Sequence, residues 1–489
     1  MKETEQKTLD AKSFPTRRGF LRTTAKATLA IAALPNVIPS SVLGKDGAVA
    51  PSNRVVVGFI GVGPQGQGVM GNYLPRKDCQ VVAVCDVKTD MLDQARDRVN
   101  TQYQDKDCAG YHDFREITSR KDIDACHIAT PDHWHVLTSL EAVRDKKDVY
   151  CEKPLGLSLE EGQILRAAVN QHQRVFQFGT QQRSSQQFWQ ACALARNGNL
   201  GKLKSINVWC PGSAPGGSTK VMDPPATLDY DRWLGPAPFK PYIEDRCTDD
   251  GNKKTWWFNT DYSVGFITGW GIHMMDIALW GAWNLFQGTV EVGGTAIYGD
   301  TVACNTARVW EIDFKFSTGC TMKFVGLPNG GNQDQPTGDP VYHYDDWKKR
   351  YRRTWGAHGT AFEGENGWVH VDRASINFEP ETLEEVKKDN IQFRALHEPT
   401  LKYVRRWFEH LLPVLAKRQI TRGGPVVMNN VVDDAGWSGI LVRGADSPLI
   451  SHNVVAGSNW NLAANGYGVG LWAVGCIDAI LEENAVPAP

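Results

Sequence analysis

The sequence predicts an α/β protein: a doubly wound parallel sheet, then an α+β open-sheet domain, then a short β-helix-like tail. Three observations carry this. An apolar strand runs straight into a glycine turn at 61–66; short apolar runs alternate with amphipathic stretches from 53 to 176; and the pattern changes to longer alternating strands after 177. Strands that alternate with helices imply a parallel sheet with helices on both faces.

The glycine turn is the most specific element. Residues 55–66 read VVVGFIGVGPQG, with Gly61, Gly63 and Gly66 at dinucleotide-binding spacing and Gln65 inside the turn. The first glycine permits the bend, the second lets backbone approach a pyrophosphate, and the third lets helix pack on strand. Phosphates then rest on the helix N-terminus. About twenty residues on, the strand VVAVCD ends on Asp86, an acid that can accept from the ribose hydroxyls and would repel a 2′-phosphate. Asp86 thus favours NAD over NADP, with Lys88 as the feature that keeps NADP as the alternative.

Bulk properties narrow the partners. A 489-residue chain exceeds what one core supports, and a formal net charge of -2 leaves no basic excess for nucleic acid. Seventeen Trp and thirteen Tyr suit sugar-like ligands as well as cores. Residues 16–22, TRRGFLR, and the apolar stretch after them read as a twin-arginine export signal, with Ala48-Val49-Ala50 resembling a cleavage site. That stretch is too short for a stable membrane span. The eleven cysteines are scattered without a CxxC pair, so neither zinc nor a disulfide framework is expected, and no metal is assigned. The resulting division is signal and linker at 1–50, nucleotide domain at 51–176, α+β domain at 177–418 and tail at 419–489. The tail rests on NNVV, HNVV and ENAV recurring between turns, as in β-helix coils. An amphipathic helix is expected at 401–418.

The chemistry-bearing residues fall at strand ends, where doubly wound sheets hold ligands. Thr130-Pro131-Asp132-His133-Trp134-His135 follows the strand ACHIA, placing Thr130, Pro131 and His135 beside a nicotinamide. Glu152-Lys153-Pro154 follows KDVYC. A partly buried Lys153 can shed its proton more easily and manage a substrate hydroxyl. Residues 265–276, GFITGWGIHMMD, lead glycines into a helix carrying His273. Gln181 and Arg183 in GTQQRSS are candidate cofactor or substrate contacts, and Trp233 in DRWLGPAP a candidate cleft wall; a salt-bridged loop and a packed corner are their respective alternatives. Asp276 is expected to serve helix packing or a backbone cap, and Cys151 to be an inert buried thiol.

Taken together, GFIGVGPQG, AVCD, TPDHWH, EKP, GTQQRSS, DRWLGPAP and GWGIHMMDIALWG resemble the glucose-fructose oxidoreductase, inositol dehydrogenase and MocA family over residues 53 to about 418, especially its exported bacterial branch. The resemblance implies a Rossmann domain and an open-sheet domain whose outer face mediates homo-oligomers, with substrate between the two. It also implies that Lys153 and His273 are the acid/base and substrate-orienting groups. Family members usually place an Asp four residues before that histidine; here the position is Gly269.

The expected activity is an exported, periplasmic NAD-dependent oxidoreductase acting on a carbohydrate or cyclitol, with a tightly retained cofactor. Two alternatives stand beside it: a glycoside hydrolase working by transient oxidation and elimination, and a non-catalytic glycan-binding protein that keeps a structural nucleotide.

Overall fold

The computed structural model describes residues 54–247, 256–299, 301–328, 338–351 and 356–383. The twin-arginine segment, the stretch at 401–418 and the 419–489 tail lie outside the described residues.

Six strands form the first sheet: β1 (Val55–Ile60), β2 (Cys79–Cys85), β3 (Ala109–Tyr111), β4 (Ala125–Ile128), β5 (Asp148–Cys151) and β6 (Phe176–Phe178). Their order is β3-β2-β1-β4-β5-β6, and every neighbouring pair is parallel. The strands are short and β-branched because both faces are covered. On one face Val57 and Phe59 pack with Val69, Met70 and Leu92; on the other Ile60 and Ile128 pack with Val136 and Leu165. Strand order reverses between β1 and β4, which opens a crevice at their carboxyl ends.

The helix Leu159–His172, which follows the Glu-Lys-Pro segment, starts on a reciprocal capping box. Ser158 accepts from the Glu161 amide at 3.2 Å, and the Glu161 carboxylate accepts from the Ser158 amide at 3.1 Å. The same carboxylate accepts from the Leu157 amide at 2.6 Å. Two otherwise unpaired amides are satisfied this way, fixing where the loop after β5 ends.

The second sheet has seven strands: β7 (Leu203–Pro211), β8 (Val290–Tyr298), β9 (Ala307–Phe316), β10 (Thr321–Leu327), β11 (Gly359–Gly364), β12 (Trp368–Val371) and β13 (Ile376–Glu379). Their order is β13-β12-β11-β7-β10-β9-β8; β10 and β7 are parallel and the other pairs antiparallel. Alternate residues point to opposite faces. Ile206, Val208, Met322 and Phe324 join the main core, whereas Trp209, Val325 and Leu327 face outward into a separate aromatic cluster. The helix Tyr344–Arg350 covers that cluster through Tyr344 and Trp347.

The inner face packs on the helices Gln186–Arg196 and Gly271–Gly281. The latter, GIHMMDIALWG, is apolar on nearly every side and buried along its length, as such a pattern requires. Its Asp276 is neither a cap nor an apolar contact. Arg183, in the 3-10 turn after β6, donates to it twice, at 2.8 and 2.6 Å, and the two side chains are only 9% and 4% exposed. Arg183 also lies 5.3 Å from the Trp280 ring centre. The pair ties the last strand of the first sheet to the central helix of the second domain.

Removing the guanidinium strips a buried carboxylate of its bidentate partner. Arg183→Met should lower the unfolding free energy by about 3–5 kcal/mol in urea denaturation. A loss below about 1 kcal/mol, the range of exposed pairs, would contradict this account.

Candidate functional site

A cleft of about 400 Å³ opens where the strand order reverses, and its wall is built from the ends of β1, β2, β4 and β5. Gly61 sits at φ +82°, and a side chain there would come within 2.6 Å of the Ala129 and Thr130 backbone. At Gly66 it would meet the Gly61 carbonyl oxygen at 2.2 Å. Only glycine meets both constraints, because a Cβ would push the two strand-end turns apart. Gly61 and Gly63 line the cleft; Gly66 lies beneath it as the packing contact between helix and strand. The helix Pro64–Tyr73 starts at Gly63 with no side-chain cap and no acidic residue in its first turn. That leaves an N-terminus suited to a phosphate.

Asp86 closes β2 at the rim. One carboxylate oxygen accepts from the Val62 amide at 2.8 Å and the other from the Lys88 amide at 2.9 Å. The acid is thereby fixed beside the glycine turn. Lys88 extends to the Cys247 carbonyl, 2.6 Å away.

Thr130, Pro131 and Asp132 line the opposite wall. The Thr130 hydroxyl is buried without a hydrogen-bond partner. A cradle that a Cβ would fill, an uncapped helix end and an orphaned hydroxyl together fit a dinucleotide: the Gly61–Gln65 turn would hold its phosphates, Asp86 its ribose, and Thr130 the end near Lys153.

His135 requires a correction. It touches the cleft, but its Nδ1 lies 2.5 Å from the Pro154 carbonyl and its Nε2 2.8 Å from the Thr130 carbonyl. Burial holds its pKa down at about 4 against the pull of those carbonyls, so the neutral ring donates to one of them. Both nitrogens face backbone carbonyls, one of them as donor, so the ring is turned toward the strand-end turns rather than toward the cofactor. Trp233 fills both of its expected roles: it lines the cleft and is packed at 3% exposure, its carbonyl accepting from the His133 and Trp134 rings at 3.0 Å each.

Glu152 is buried and accepts from the Gln65 amide at 3.1 Å. Burial raises its pKa, with Lys153 pulling the other way. Lys153 is half-buried, its ammonium 5.6 Å from the Trp257 ring centre, and the Lys153–Pro154 peptide is cis. Burial lowers the lysine pKa, opposed by Glu152 and Asp132.

His273 lies outside the walls of this cleft yet within electrostatic reach of Lys153. It is 3% exposed, and its Nδ1 has no hydrogen-bond partner. Burial, then Arg373, Lys153 and His358, depress its pKa well below the ordinary value, so it is neutral at pH 7. At Gly269, one turn earlier, a Cβ would meet nothing nearer than Phe266 at 3.7 Å. Arg183 is corrected: its guanidinium faces Asp276, so the salt-bridged alternative is the one the fold adopts. Gln181 opens the same turn, with its side-chain oxygen buried and without a hydrogen-bond partner. The Cys151 thiol is fully buried and pushed up, hence unreactive.

Sequence reasoning missed Asp132. The residue is 2% exposed, accepts from the Ser263 hydroxyl at 2.7 Å, and lines the cleft. Burial pushes its carboxyl up to about 7 against the Ser263 bond and Lys153. The available signal was its position, one residue past Pro131 at a strand end; its partner Ser263 is 131 residues away.

Because the folded pKa lies above the unfolded one, Asp132 contributes most to stability at low pH and loses that contribution as pH rises toward 7. Asp132→Asn keeps the acceptor but not the titration. Its stability relative to the parent should therefore rise from pH 4 to 7, by at most about 1.4 kcal/mol per pH unit, read from paired thermal melts. A difference independent of pH would contradict a raised carboxyl.

Among the described residues, no group of three or more His, Cys, Asp or Glu could hold a metal ion, and no helix is long and apolar enough to cross a membrane. Residues 55–180 match the oxidoreductase-family model for the NAD-binding Rossmann fold, and residues 214–341 match the model for the family's C-terminal alpha/beta domain. Together they span just over half the chain. The chain is 32% identical over 159 residues to a glycosyl hydrolase family 109 protein of Shewanella baltica, covering 30% of this chain and 35% of that protein. It is 34% identical over 127 residues to another of Shewanella woodyi, covering 25% and 27%. These matches thus span about a third of the relatives' own length or less. The solved WlbA dehydrogenase of Bordetella pertussis, in complex with NADH and UDP-GlcNAcA, shares the fold at TM-score 0.50 and 13% identity, over 74% of this chain and 88% of that one. With a six-stranded parallel sheet carrying the glycine cradle and a mixed sheet behind it, the chain belongs to the Gfo/Idh/MocA family of oxidoreductases, whose N-terminal domain binds a nicotinamide cofactor.

Proposed function

We propose that this chain is an NAD-dependent oxidoreductase acting on a carbinol carbon of a sugar, cyclitol or glycoside, exported by the twin-arginine route with its cofactor retained. The observation that carries the reading is the placement of Lys153: it shares one cleft with the glycine cradle, where burial lowers its pKa against the pull of Glu152 and Asp132.

When bound, the nicotinamide supplies the hydride acceptor. In its unprotonated form Lys153 takes the hydroxyl proton as the carbon is oxidised and returns it in reduction. Neutral His273 orients that hydroxyl without adding a charge that would hold Lys153 protonated. Trp257, under the lysine, helps keep water from the reacting atoms. The choice of NAD over NADP rests on Asp86, whose carboxylate stands where a 2′-phosphate would have to approach, and on Lys88 being drawn toward Cys247. Outside the cytoplasm free NAD is scarce, which supports a retained cofactor and a closed catalytic cycle.

Lys153→Met should lower kcat/KM by about 10²–10⁴-fold, while the parent rate rises with pH to a plateau whose inflection lies below the ordinary lysine value. Unchanged turnover in the variant would remove the assigned mechanism. Native mass spectrometry of the purified protein should show a nucleotide of NAD mass; NADP would reverse the Asp86 argument.

The names of the Shewanella relatives support a second reading, glycoside cleavage by transient oxidation next to the glycosidic carbon followed by elimination. Incubation with aryl glycosides and no added acceptor separates the two. Catalytic release of aglycone would establish cleavage; a keto sugar formed in proportion to enzyme would establish simple oxidation.

A further inference from the structure

Residues 225–241 follow β7 in the chain, yet they return across the mouth of the nucleotide cleft. At the β2 rim they pair with the loop that begins at Asp86. The Thr89 amide donates to the Thr227 carbonyl at 2.8 Å and the Asp229 amide to the Val87 carbonyl at 3.0 Å, one antiparallel rung with Lys88 opposite Leu228. At the β4 rim the Trp233 carbonyl accepts from the His133 and Trp134 rings, 3.0 Å each. Between the two attachments runs only the short helix Tyr230–Leu234, whose cap, Asp229, accepts from the Arg232 amide at 3.0 Å. Arg232 and Trp233 on that helix line the cleft together with Asp86, His112 and Phe114.

The attachments are concentrated at a few points. Leu228, Trp233 and Leu234 are buried in one cluster with Tyr242, Trp256 and Tyr262, and Val87 of the β2 rim packs against it. Gly235 sits at φ +49° against the Trp134 ring, where a Cβ would come within 1.9 Å of the ring carbons. On either side the chain is exposed: residues 219–227 throughout, then Gly235, Pro236, Pro238 and Phe239. Prolines at 224, 225, 236, 238 and 241 stiffen both flanks. A segment held by a few anchors between stiff, solvated flanks can open as a unit, at a free energy well below that of global unfolding.

Resting on the oxidoreductase reading above, we propose that residues 225–235 are a strap over the adenosine half of the dinucleotide, and that the coenzyme enters and leaves only when this strap lifts from the β2 and β4 rims. Asp86 marks the ribose end of the cleft, and the strap is fastened beside it. Such a device acts on rates and not on affinity alone. Entry and exit are both limited by opening, so entry stops rising with coenzyme concentration once opening becomes the slow step. A site that is merely tight, with an open mouth, lacks that property.

Entry is read by stopped-flow mixing of the full-length protein, freed of nucleotide on charcoal, with NADH, through energy transfer from the cleft tryptophans Trp233, Trp256 and Trp257. Exit is read by native mass spectrometry as bound NAD exchanges for isotope-labelled NAD. In the parent, the entry rate should level off as NADH is raised. Lys88 and Leu228 form a non-hydrogen-bonded antiparallel pair, a geometry that sets Cα atoms about 4.5 Å apart, within disulfide reach. The double variant Lys88→Cys, Leu228→Cys should therefore stop entry and exit when oxidised and regain both on reduction. Gly235→Ala, which pushes the strap off Trp134, should speed both by about tenfold, the effect of losing one anchor. Entry that stays proportional to NADH, exchange unchanged by the disulfide, or a Gly235→Ala protein that speeds exit alone would overturn the strap and leave the oxidoreductase reading standing. Gated NADH binding without oxidation of any sugar or cyclitol would sink that reading and leave the strap. Failure of the parent to bind either NADH or NADPH would overturn both.

Discussion

Everything in the cleft depends on how closely the turn after β1 approaches the turn after β4. The separation leaves no room for a side chain at Gly61, where a Cβ would sit 2.6 Å from the Ala129 backbone, and the tightness of the first turn itself leaves none at Gly66, 2.2 Å from the Gly61 carbonyl. That contact sets the height of the helix Pro64–Tyr73 over the sheet and so aims its N-terminus across the crevice. It also fixes Asp86 to the Val62 amide on one side and places Thr130 on the other. His135 extends the same constraint to β5, since one ring spans the Thr130 and Pro154 carbonyls. The ends of β1 and β4 are thus set against each other before any ligand arrives, which is the kind of preorganisation that cofactor chemistry needs.

What was legible in the sequence was local. The glycine spacing, the acid ending β2, and the strands ACHI, DVYC, ARVWEIDFKF and TMKFVGL follow from periodicity and turn residues within short windows. The role of a polar side chain was legible only when its partner lay nearby. Arg183 looked like a ligand contact because Asp276, 93 residues away, could not be assigned to it from spacing. Asp132 went unassigned for the same reason, its hydroxyl partner being contributed by the second domain. His135 was read as a cofactor contact because its motif adjoins the cleft, and only coordinates reveal that both nitrogens face backbone carbonyls.

The electrostatics of the site follow mainly from burial. Lys153 and His273 are shifted toward their neutral forms, and Asp132 and Glu152 likewise. Desolvation penalises every charge, whatever its sign, so burial works against the ionised form of each of these four groups, three of which line the cleft.

The outer face of the second sheet is divided. Over β7, β10 and β11 it is sealed by Trp347 and Tyr344 on their short helix. Over β8, β9 and β10 it presents Glu291, Glu311, Asp313, Lys315 and Lys323, linked by ion pairs between strands. An association of subunits through this charged part of the face would join hydrated charges rather than bury apolar surface. Its strength would be set by ionic strength, and its geometry by which acidic and basic rungs line up across the contact.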